Sequence, residues 1–189
     1  VHSGKRWRRI TTIHIKLIYQ LRAYMETTMS YRIESSITIN APTEVVWATI
    51  QDLNRRLDWD ARITSVERMT PLPLGKGTRT RLGYRMFGRS TFIHVEYVAW
   101  KPPYQCGVRS EMEDGSATVG GSWNFKPQPD GSTTWTTRLM LKANTSRFRR
   151  LQEQIFGRYT ARLTRISQQN LKRLVESEYQ RQGAHVGAY

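Results

Sequence analysis

Hydrophobic and polar residues alternate with period two over Tyr31–Ile39, which predicts a β-strand with one buried face. Ile33, Ile37 and Ile39 share one face of this strand, and polar residues fill the other. The same alternation predicts further strands over residues 79–86, 91–100, 104–112, 117–126 and 133–143. Because short turns join consecutive strands, we expect antiparallel neighbours in one sheet.

Two short helices are predicted directly after the first strand. Pro42 suits the first turn of a helix, where a missing N–H is no loss, and Glu44 suits the positive end of the helix dipole. This helix is expected to continue to about Leu53. A second short helix or turn is expected over Arg55–Ala61, and it carries Trp59.

A long amphipathic helix is predicted at the C-terminal end, with an apolar stripe that faces the sheet. The stripe consists of Phe148, Leu151, Ile155, Tyr159, Leu163, Ile166, Asn170 and Leu174. Arginines and lysines such as Arg158, Arg165 and Lys172 are expected on the opposite face. The helix is predicted to end near Glu178, which leaves residues 180–189 as a flexible tail.

Residues 1–28 form a basic leader that differs from the body of the chain, residues 29–179. Residues 1–24 contain no acidic residue, and Ile10, Ile13 and Leu17 recur at helical spacing. Three interpretations stay open: a membrane-surface anchor, a targeting peptide, or a stretch upstream of a true start at Met25 or Met29. We expect the leader to be disordered or not to belong to the native domain.

The net charge is +15, from 30 Lys and Arg against 15 Asp and Glu. Such a charge favours phosphates or anionic membranes as partners. A single cysteine, Cys106, excludes an intrachain disulfide and a zinc site built on cysteines. No apolar run approaches the roughly 20 residues that span a bilayer.

Three segments carry a resemblance to a known family. Ile37–Trp47 reads ITINAPTEVVW, a strand that runs through an Ala-Pro turn into a helix. Asp52 is followed by Trp59, and Gly121–Phe125 is paired with Asp130–Trp135 in a hairpin pattern. Over roughly 150 of the 189 residues the chain resembles the SRPBCC superfamily, and most of all its polyketide cyclase/dehydrase branch.

The resemblance implies an α+β helix-grip, or START-like, fold: a curved antiparallel sheet of about six to seven strands around a long C-terminal helix, with two short helices after strand 1. It also implies an apolar cavity between sheet and helix, and the large side chains of the predicted inner face support this. Trp59 and the turn at 74–77 are expected to frame its entrance. The candidate ligand-binding residues are Trp59, Leu82, Tyr84, Met86, Ile93, Val95, Trp123, Phe125, Leu139, Ile155 and Tyr159. Expected polar groups of the pocket are Tyr84, Tyr97, Ser110, Thr137 and Tyr159. We expect Val45, Trp47 and Ile50 to pack in the core.

Few residues suggest catalytic chemistry. His94 is the one histidine in the body of the chain, so neither a histidine metal site nor a Ser–His–Asp relay is expected, and no cofactor is expected. Cys106 is predicted to be a buried, inert thiol. Arg109 and Glu111 are conceivable acid–base partners of Tyr84, but alternation places both on the solvent face.

The main hypothesis is therefore a protein of the bacterial cytoplasm that binds a hydrophobic small molecule or lipid and could transport it. One alternative is an enzyme that resembles polyketide cyclases and dehydratases. Another is a peripheral module that binds an anionic membrane through the basic C-terminal helix, or nucleic acid through its basic surface. Nucleic acid is not the expected partner, because no recognition motif or stacking platform accompanies the charge.

Overall fold

The computed structural model of the protein describes residues 31–143 and 149–186. The basic leader and Phe148 of the predicted stripe lie outside the described residues. The strands are β1 (Tyr31–Ile39), β2 (Ile63–Arg68), β3 (Arg79–Met86), β4 (Arg89–Lys101), β5 (Gln105–Met112), β6 (Ala117–Pro127) and β7 (Thr133–Ala143). The helices are α1 (Thr43–Gln51), α2 (Arg56–Trp59) and α3 (Arg149–Val186), and a 3₁₀ turn, Leu53–Arg55, joins α1 to α2.

All seven strands form one antiparallel sheet in the order β1-β7-β6-β5-β4-β3-β2. The first strand of the chain, β1, pairs with the last, β7, and Ile37 lies opposite Trp135. This confirms the predicted α+β helix-grip architecture with two short helices after the first strand. Sequence reasoning missed β2, an edge strand without a buried residue, whose Ile63 and Val66 give too weak an alternation.

The inner face of the sheet follows the predicted alternation. On β7, Trp135, Leu139 and Leu141 are buried, while Arg138 and Met140 between them are exposed. Side chains on successive positions of a strand point to opposite faces, so one large apolar set turns toward α3.

Helix α1 packs against this core as predicted. Val46, Trp47 and Ile50 are buried, and Val45 packs against the same cluster. The Trp47 ring meets Trp100 edge to face, with a centroid distance of 5.1 Å. Such pairs of aromatic rings add to the stabilisation from buried area.

The 3₁₀ turn after α1 is fastened to the C-terminal helix by an ion pair. Arg55 donates from Nη1 and Nη2 to the two carboxylate oxygens of Glu178, at 3.0 and 2.6 Å. A bidentate pair of this kind fixes orientation as well as distance. It therefore positions α2, the helix that carries Arg56 and Trp59.

The face that α3 turns toward the sheet coincides only in part with the predicted apolar stripe: Leu174 packs against the core, but the described N-terminal members of the stripe do not. Leu151, Ile155 and Ile166 are 55%, 50% and 39% exposed. Besides the apolar Leu171 and Val175, the buried residues on α3 are small or polar: Glu153, Gly157, Thr160, Thr164, Ser167 and Gln168. Among them, Thr160, Ser167 and Gln168 bond to polar groups of the sheet and of the α2–β2 segment, which leucine and isoleucine side chains cannot do.

Helix α3 also extends further than predicted. It ends at Val186, so residues 180–186 are helical, whereas the sequence pattern predicts an end near Glu178. Residues 187–189 lie outside the described part of the chain. Among residues 31–143 and 149–186, none of the helices combines the length and the apolar character that a bilayer crossing needs.

Candidate functional site

A cavity of about 90 Å³ lies between the inner face of the sheet, the α2–β2 segment and α3. Most of its lining is apolar, which is typical of sites for small hydrophobic molecules. The lining residues are Leu53, Arg56, Arg62, Ile63, Thr80, Leu82, Tyr84, Ile93, Val95, Tyr97, Val108, Ser110, Val119, Trp123, Leu139, Phe156 and Thr160. We call this space the inner cavity.

Six of the candidate ligand-binding residues line the inner cavity: Leu82, Tyr84, Ile93, Val95, Trp123 and Leu139. They come from strands β3, β4, β6 and β7, and strand alternation turns all of them to the same side. Met86 and Ile155 line a neighbouring cavity instead. The structure thus brings eight candidates to two adjoining spaces.

Trp59, Phe125 and Tyr159 line neither space. Trp59 is 1% exposed, so it lies in the core and does not frame an entrance as the sequence suggested. Phe125 stacks on Trp135 with an interplanar angle of 7°. Tyr159 packs against Phe87 at the tip of the β3–β4 hairpin, at 4.7 Å between ring centroids.

Sequence reasoning missed several lining residues. Alternation in β3, β5 and β6 could have found Thr80, Val108 and Val119, because each shares a face with a predicted core residue. Arg56 and Arg62 gave no such signal, since arginine is expected at the surface. The structure buries both, at 5% and 8% exposure.

The two arginines share one buried carboxylate. Asp60 accepts hydrogen bonds from Nε and Nη2 of Arg62 at 2.7 and 2.8 Å. Nη2 of Arg56 lies 2.7 Å from Oδ2 of the same carboxylate. The Ser167 hydroxyl of α3 lies 3.1 Å from Oδ1. Although burial alone would raise the pKa of Asp60, the two guanidiniums hold it well below its usual range.

Two tryptophan rings flank Arg56. Its guanidinium carbon lies 4.4 Å from the ring centre of Trp59 and 4.6 Å from that of Trp123. These cation–π contacts compensate part of the cost of burying the charge. Nε of Arg56 is nevertheless buried without a hydrogen-bond partner among the described residues.

Three of the expected polar groups, Tyr84, Tyr97 and Ser110, line the inner cavity. The Tyr84 hydroxyl lies 3.4 Å from that of Thr160, and burial raises the pKa of Tyr84. Burial also raises the pKa of Tyr97 to about 12. Both phenols are therefore protonated at neutral pH and can donate a hydrogen bond. Thr137 lies deeper in the core, where its hydroxyl lies 3.5 Å from Nε2 of Gln168.

The remaining chemical candidates lie apart from the cavity. Cys106 is buried as predicted, and burial raises the pKa of its thiol to about 11, so the thiolate nucleophile does not form at neutral pH. Arg109 and Glu111 are exposed, as alternation predicted. Within residues 31–143 and 149–186, no three His, Cys, Asp or Glu side chains cluster as metal ligands would.

A second space of about 280 Å³, the outer cavity, adjoins the first. It is lined by Met86, Phe87, Met112, Ser116, Ala117, Leu141, Ala143, Gln152, Glu153, Ile155 and Phe156. Phe156 of α3 borders both cavities. Its ring therefore lies where the inner and outer cavities meet.

This architecture, a seven-stranded antiparallel sheet that holds a long C-terminal helix over an apolar cavity, defines the helix-grip class of the SRPBCC superfamily. Residues 30–176 match the model of the family described as polyketide cyclase/dehydrase and lipid transport, and the chain belongs to that family. The resemblance found in the sequence is thereby confirmed. Family membership is consistent with binding of a hydrophobic ligand.

Solved structures with the same fold are distant in sequence. TTHA0849 from Thermus thermophilus is 18% identical, with a TM-score of 0.64 over 78% of this chain and 99% of its own. The ZhuI aromatase/cyclase from Streptomyces sp. R1128 is 16% identical, with a TM-score of 0.61 over 77% of this chain and 96% of its own. No curated protein matches the sequence. At these identities the similarity establishes the fold alone.

Proposed function

We propose that this protein binds a hydrophobic small molecule or lipid in the inner cavity. The observation that carries the proposal is the cavity itself, a space between sheet and helix whose surface is mostly apolar. Leu82, Tyr84, Ile93, Val95, Trp123 and Leu139 are the candidates for ligand contact within it. The family to which the chain belongs supports a ligand of this type.

We propose binding and not catalysis because the two tyrosines of the cavity, Tyr84 and Tyr97, are protonated at neutral pH. A general base must lose its proton near the working pH, and burial raises the pKa of both Tyr84 and Tyr97. Arg56 and Arg62 are engaged by Asp60 and stay protonated. These groups hold a ligand through hydrogen bonds and charge, but none of them accepts a proton at neutral pH.

The test compares two Val→Phe substitutions on the same strand. Val95 lines the inner cavity, whereas Val98 is exposed. With the neutral dye N-phenylnaphthylamine as fluorescent probe, Val95→Phe should weaken binding at least tenfold, because the added ring occupies the cavity. Val98→Phe should leave it unchanged. Equal affinity in both folded variants, or a native mass spectrum and dye titration without any bound molecule, would overturn the proposal.

We further propose that α3 contacts an anionic membrane surface, which would suit the collection or delivery of a lipid. The outward face of α3 combines the exposed apolar residues Leu151 and Ile155 with the exposed arginines Arg158, Arg162 and Arg165. Apolar side chains that enter the headgroup region, with arginines beside them, are typical of interfacial helices.

Vesicle sedimentation with the full chain tests this contact. Binding to phosphatidylglycerol-containing vesicles should fall several-fold in an Arg158→Gln/Arg162→Gln variant and should exceed binding to pure phosphatidylcholine. The matched control, Arg79→Gln/Arg109→Gln, removes the same charge from the outer face of the sheet. An equal loss in both variants would mean that net charge alone, and not α3, governs the contact.

The cytoplasmic location of the protein stays a prediction, and cell fractionation tests it.

A further inference from the structure

The inner cavity borders a buried cluster that carries one excess positive charge. Arg56, Arg62 and Asp60 contribute two guanidiniums and one carboxylate, and each is at most 8% exposed. Arginine does not lose its proton in proteins. Within the described residues, Asp60 is the one carboxylate in ion-pair contact with either arginine. An uncompensated buried charge is costly, so the cluster favours an anion beside it.

The other titratable groups near the cluster are neutral and do not supply that anion. Tyr84 lies close enough to Arg62, and Tyr97 and Cys106 lie close enough to Arg56, for their charges to interact. Burial raises the pKa of all three, so they remain protonated at neutral pH. The positive charge is therefore available to a ligand in the cavity that both arginines line.

Arg56 and the outer cavity lie toward opposite ends of strand β5. Arg56 stacks on Trp123, which pairs with Cys106 near the start of β5. Met112, at the end of β5, lines the outer cavity. Six residues of strand at ~3.3 Å each separate these two positions by about 20 Å. The site is thus long, and Arg56 lies at the end away from the outer cavity. Arg62 lies nearer to that cavity, because its carbonyl accepts from the N–H of Arg85, the residue before Met86.

The volumes indicate that a ligand uses both spaces. Sites for small molecules usually measure about 300–1,000 Å³, well above the 90 Å³ of the inner cavity. With the 280 Å³ of the outer cavity, the combined space reaches the lower end of that range. Phe156 lines both spaces.

We propose that the ligand is an elongated amphipathic monoanion, whose anionic oxygens pair with Arg56 and Arg62 and whose apolar chain passes Phe156 into the outer cavity. This inference rests on the proposed function and specifies its ligand class. A carboxylate fits the cluster best, because a guanidinium presents two parallel N–H donors to its two oxygens. The anion would also give the unpaired Nε of Arg56 a partner within reach.

The experiment compares a fatty acid with the alcohol of equal chain length in the full wild-type chain. Decanoate and decanol compete with N-phenylnaphthylamine, and we expect decanoate to bind at least tenfold more tightly. Arg56→Gln should reduce the ratio of the decanol to the decanoate dissociation constant to near one without weakening the binding of decanol. Arg56→Lys should restore part of this ratio. Arg85→Gln, an exposed change on β3, should leave the ratio unchanged and so controls for net charge.

The outcomes separate this inference from the proposed function. If the dye and both competitors fail to bind, the proposed function itself is wrong. If decanol binds as tightly as decanoate, or if folded Arg56→Gln keeps the preference, the cavity binds apolar molecules but the inferred anion site is wrong. The comparison of acid with alcohol needs no variant, so the test holds even where Arg56→Gln does not fold. Affinity that does not rise from octanoate to dodecanoate would contradict the use of the outer cavity.

Discussion

Gln168 of α3 makes two hydrogen bonds to Ser35 of β1, accepting one from its hydroxyl at 2.6 Å and donating one to its carbonyl at 3.1 Å. Gln168 is 2% exposed, and Ser35 is half-buried. β1 is an edge strand of the sheet, and this pairing fixes the position of α3 along it. The buried amide therefore aligns the helix that closes the inner cavity.

We expect Gln168→Ala to lower the free energy of unfolding by about 1–3 kcal/mol, because it removes both hydrogen bonds between Ser35 and the buried Gln168 amide. Urea denaturation followed by circular dichroism measures the change. The neighbouring Gln169 is exposed, so Gln169→Ala should change the free energy of unfolding by less than about 0.5 kcal/mol. Equal effects of the two substitutions would contradict the assigned role of Gln168.

Gly157 lets α3 approach the ring of Tyr31. A methyl group at residue 157 would collide with several ring carbons of Tyr31, whereas one at Gly120 would meet nothing within 4 Å. Alanine usually stabilises a helix by about 1 kcal/mol relative to glycine. We nevertheless expect Gly157→Ala to destabilise the protein by about 1–3 kcal/mol, because overpacking outweighs propensity.

Thermal and urea unfolding of Gly157→Ala and Gly120→Ala give the comparison. Gly120→Ala controls for the general effect of replacing a glycine. A Gly157→Ala protein at least as stable as the wild type would show that Tyr31 moves aside at little cost.

Much of the sheet could be predicted from the sequence, because strand alternation reports burial directly. Leu82, Tyr84 and Ile93 line the inner cavity for that reason, since each occupies an inward position of its strand. The short helices were also predictable, from Pro42 and the apolar residues after it.

The orientation of α3 could not be predicted in the same way. Apolar periodicity selected Leu151, Ile155 and Ile166 as the buried stripe, although the structure exposes them. The side that faces the sheet contains polar residues such as Gln168, whose partner Ser35 lies more than 100 residues away in the chain. Spacing along one helix contains no information about such distant partners.

The buried arginines escaped prediction for a related reason. Arg56, Asp60 and Arg62 are close in sequence, and on their own they read as a charged surface turn. Their burial depends on Trp123 and Ser167, which come from β6 and α3. The charged part of the candidate site is therefore a product of tertiary structure.

Removing the carboxylate of this cluster should be severely destabilising. Asp60→Asn leaves two buried guanidiniums without a counter-charge, and we expect a loss of about 3–5 kcal/mol in the free energy of unfolding. Asp58→Asn, at a carboxylate whose side chain is 53% exposed, should cost less than about 1 kcal/mol. Denaturant unfolding at neutral pH measures both, and a mild effect of Asp60→Asn would contradict the assigned pairing.

Because of the Asp60 carboxylate, the free energy of unfolding should depend on pH. The pKa of Asp60 is lower in the folded chain than the value of about 3.9 in unfolded chains. The contribution of the Asp60 carboxylate to the free energy of unfolding is therefore complete above about pH 4. It is lost as the pH falls toward the folded-state pKa. The difference in unfolding free energy between wild type and Asp60→Asn should narrow below about pH 4, and a constant difference down to about pH 2.5 would contradict this.

Phe156 should control the passage between the two cavities. Its ring borders both, and it lies 6.4 Å from the ring of Tyr84 between centroids. If a long-chain ligand has to displace this ring, Phe156→Ala should raise the association rate constant of dodecanoate several-fold, because the obstruction is removed. The same change should cost about 1–3 kcal/mol of stability, since the ring is half-buried.

Stopped-flow mixing of the dye-free protein with octanoate or dodecanoate, followed by tryptophan fluorescence, measures these rates, because Trp123 lines the inner cavity. Phe156→Ala should raise the association rate constant of octanoate, the shorter chain, less than that of dodecanoate. The ratio of the two rate constants therefore distinguishes an opened passage from a general loosening of the fold. Ile166→Ala supplies the control, because Ile166 is also on α3 but lines neither cavity. Equal acceleration of both acids, or none, would mean that the cavities act separately and that Phe156 only packs against Tyr84.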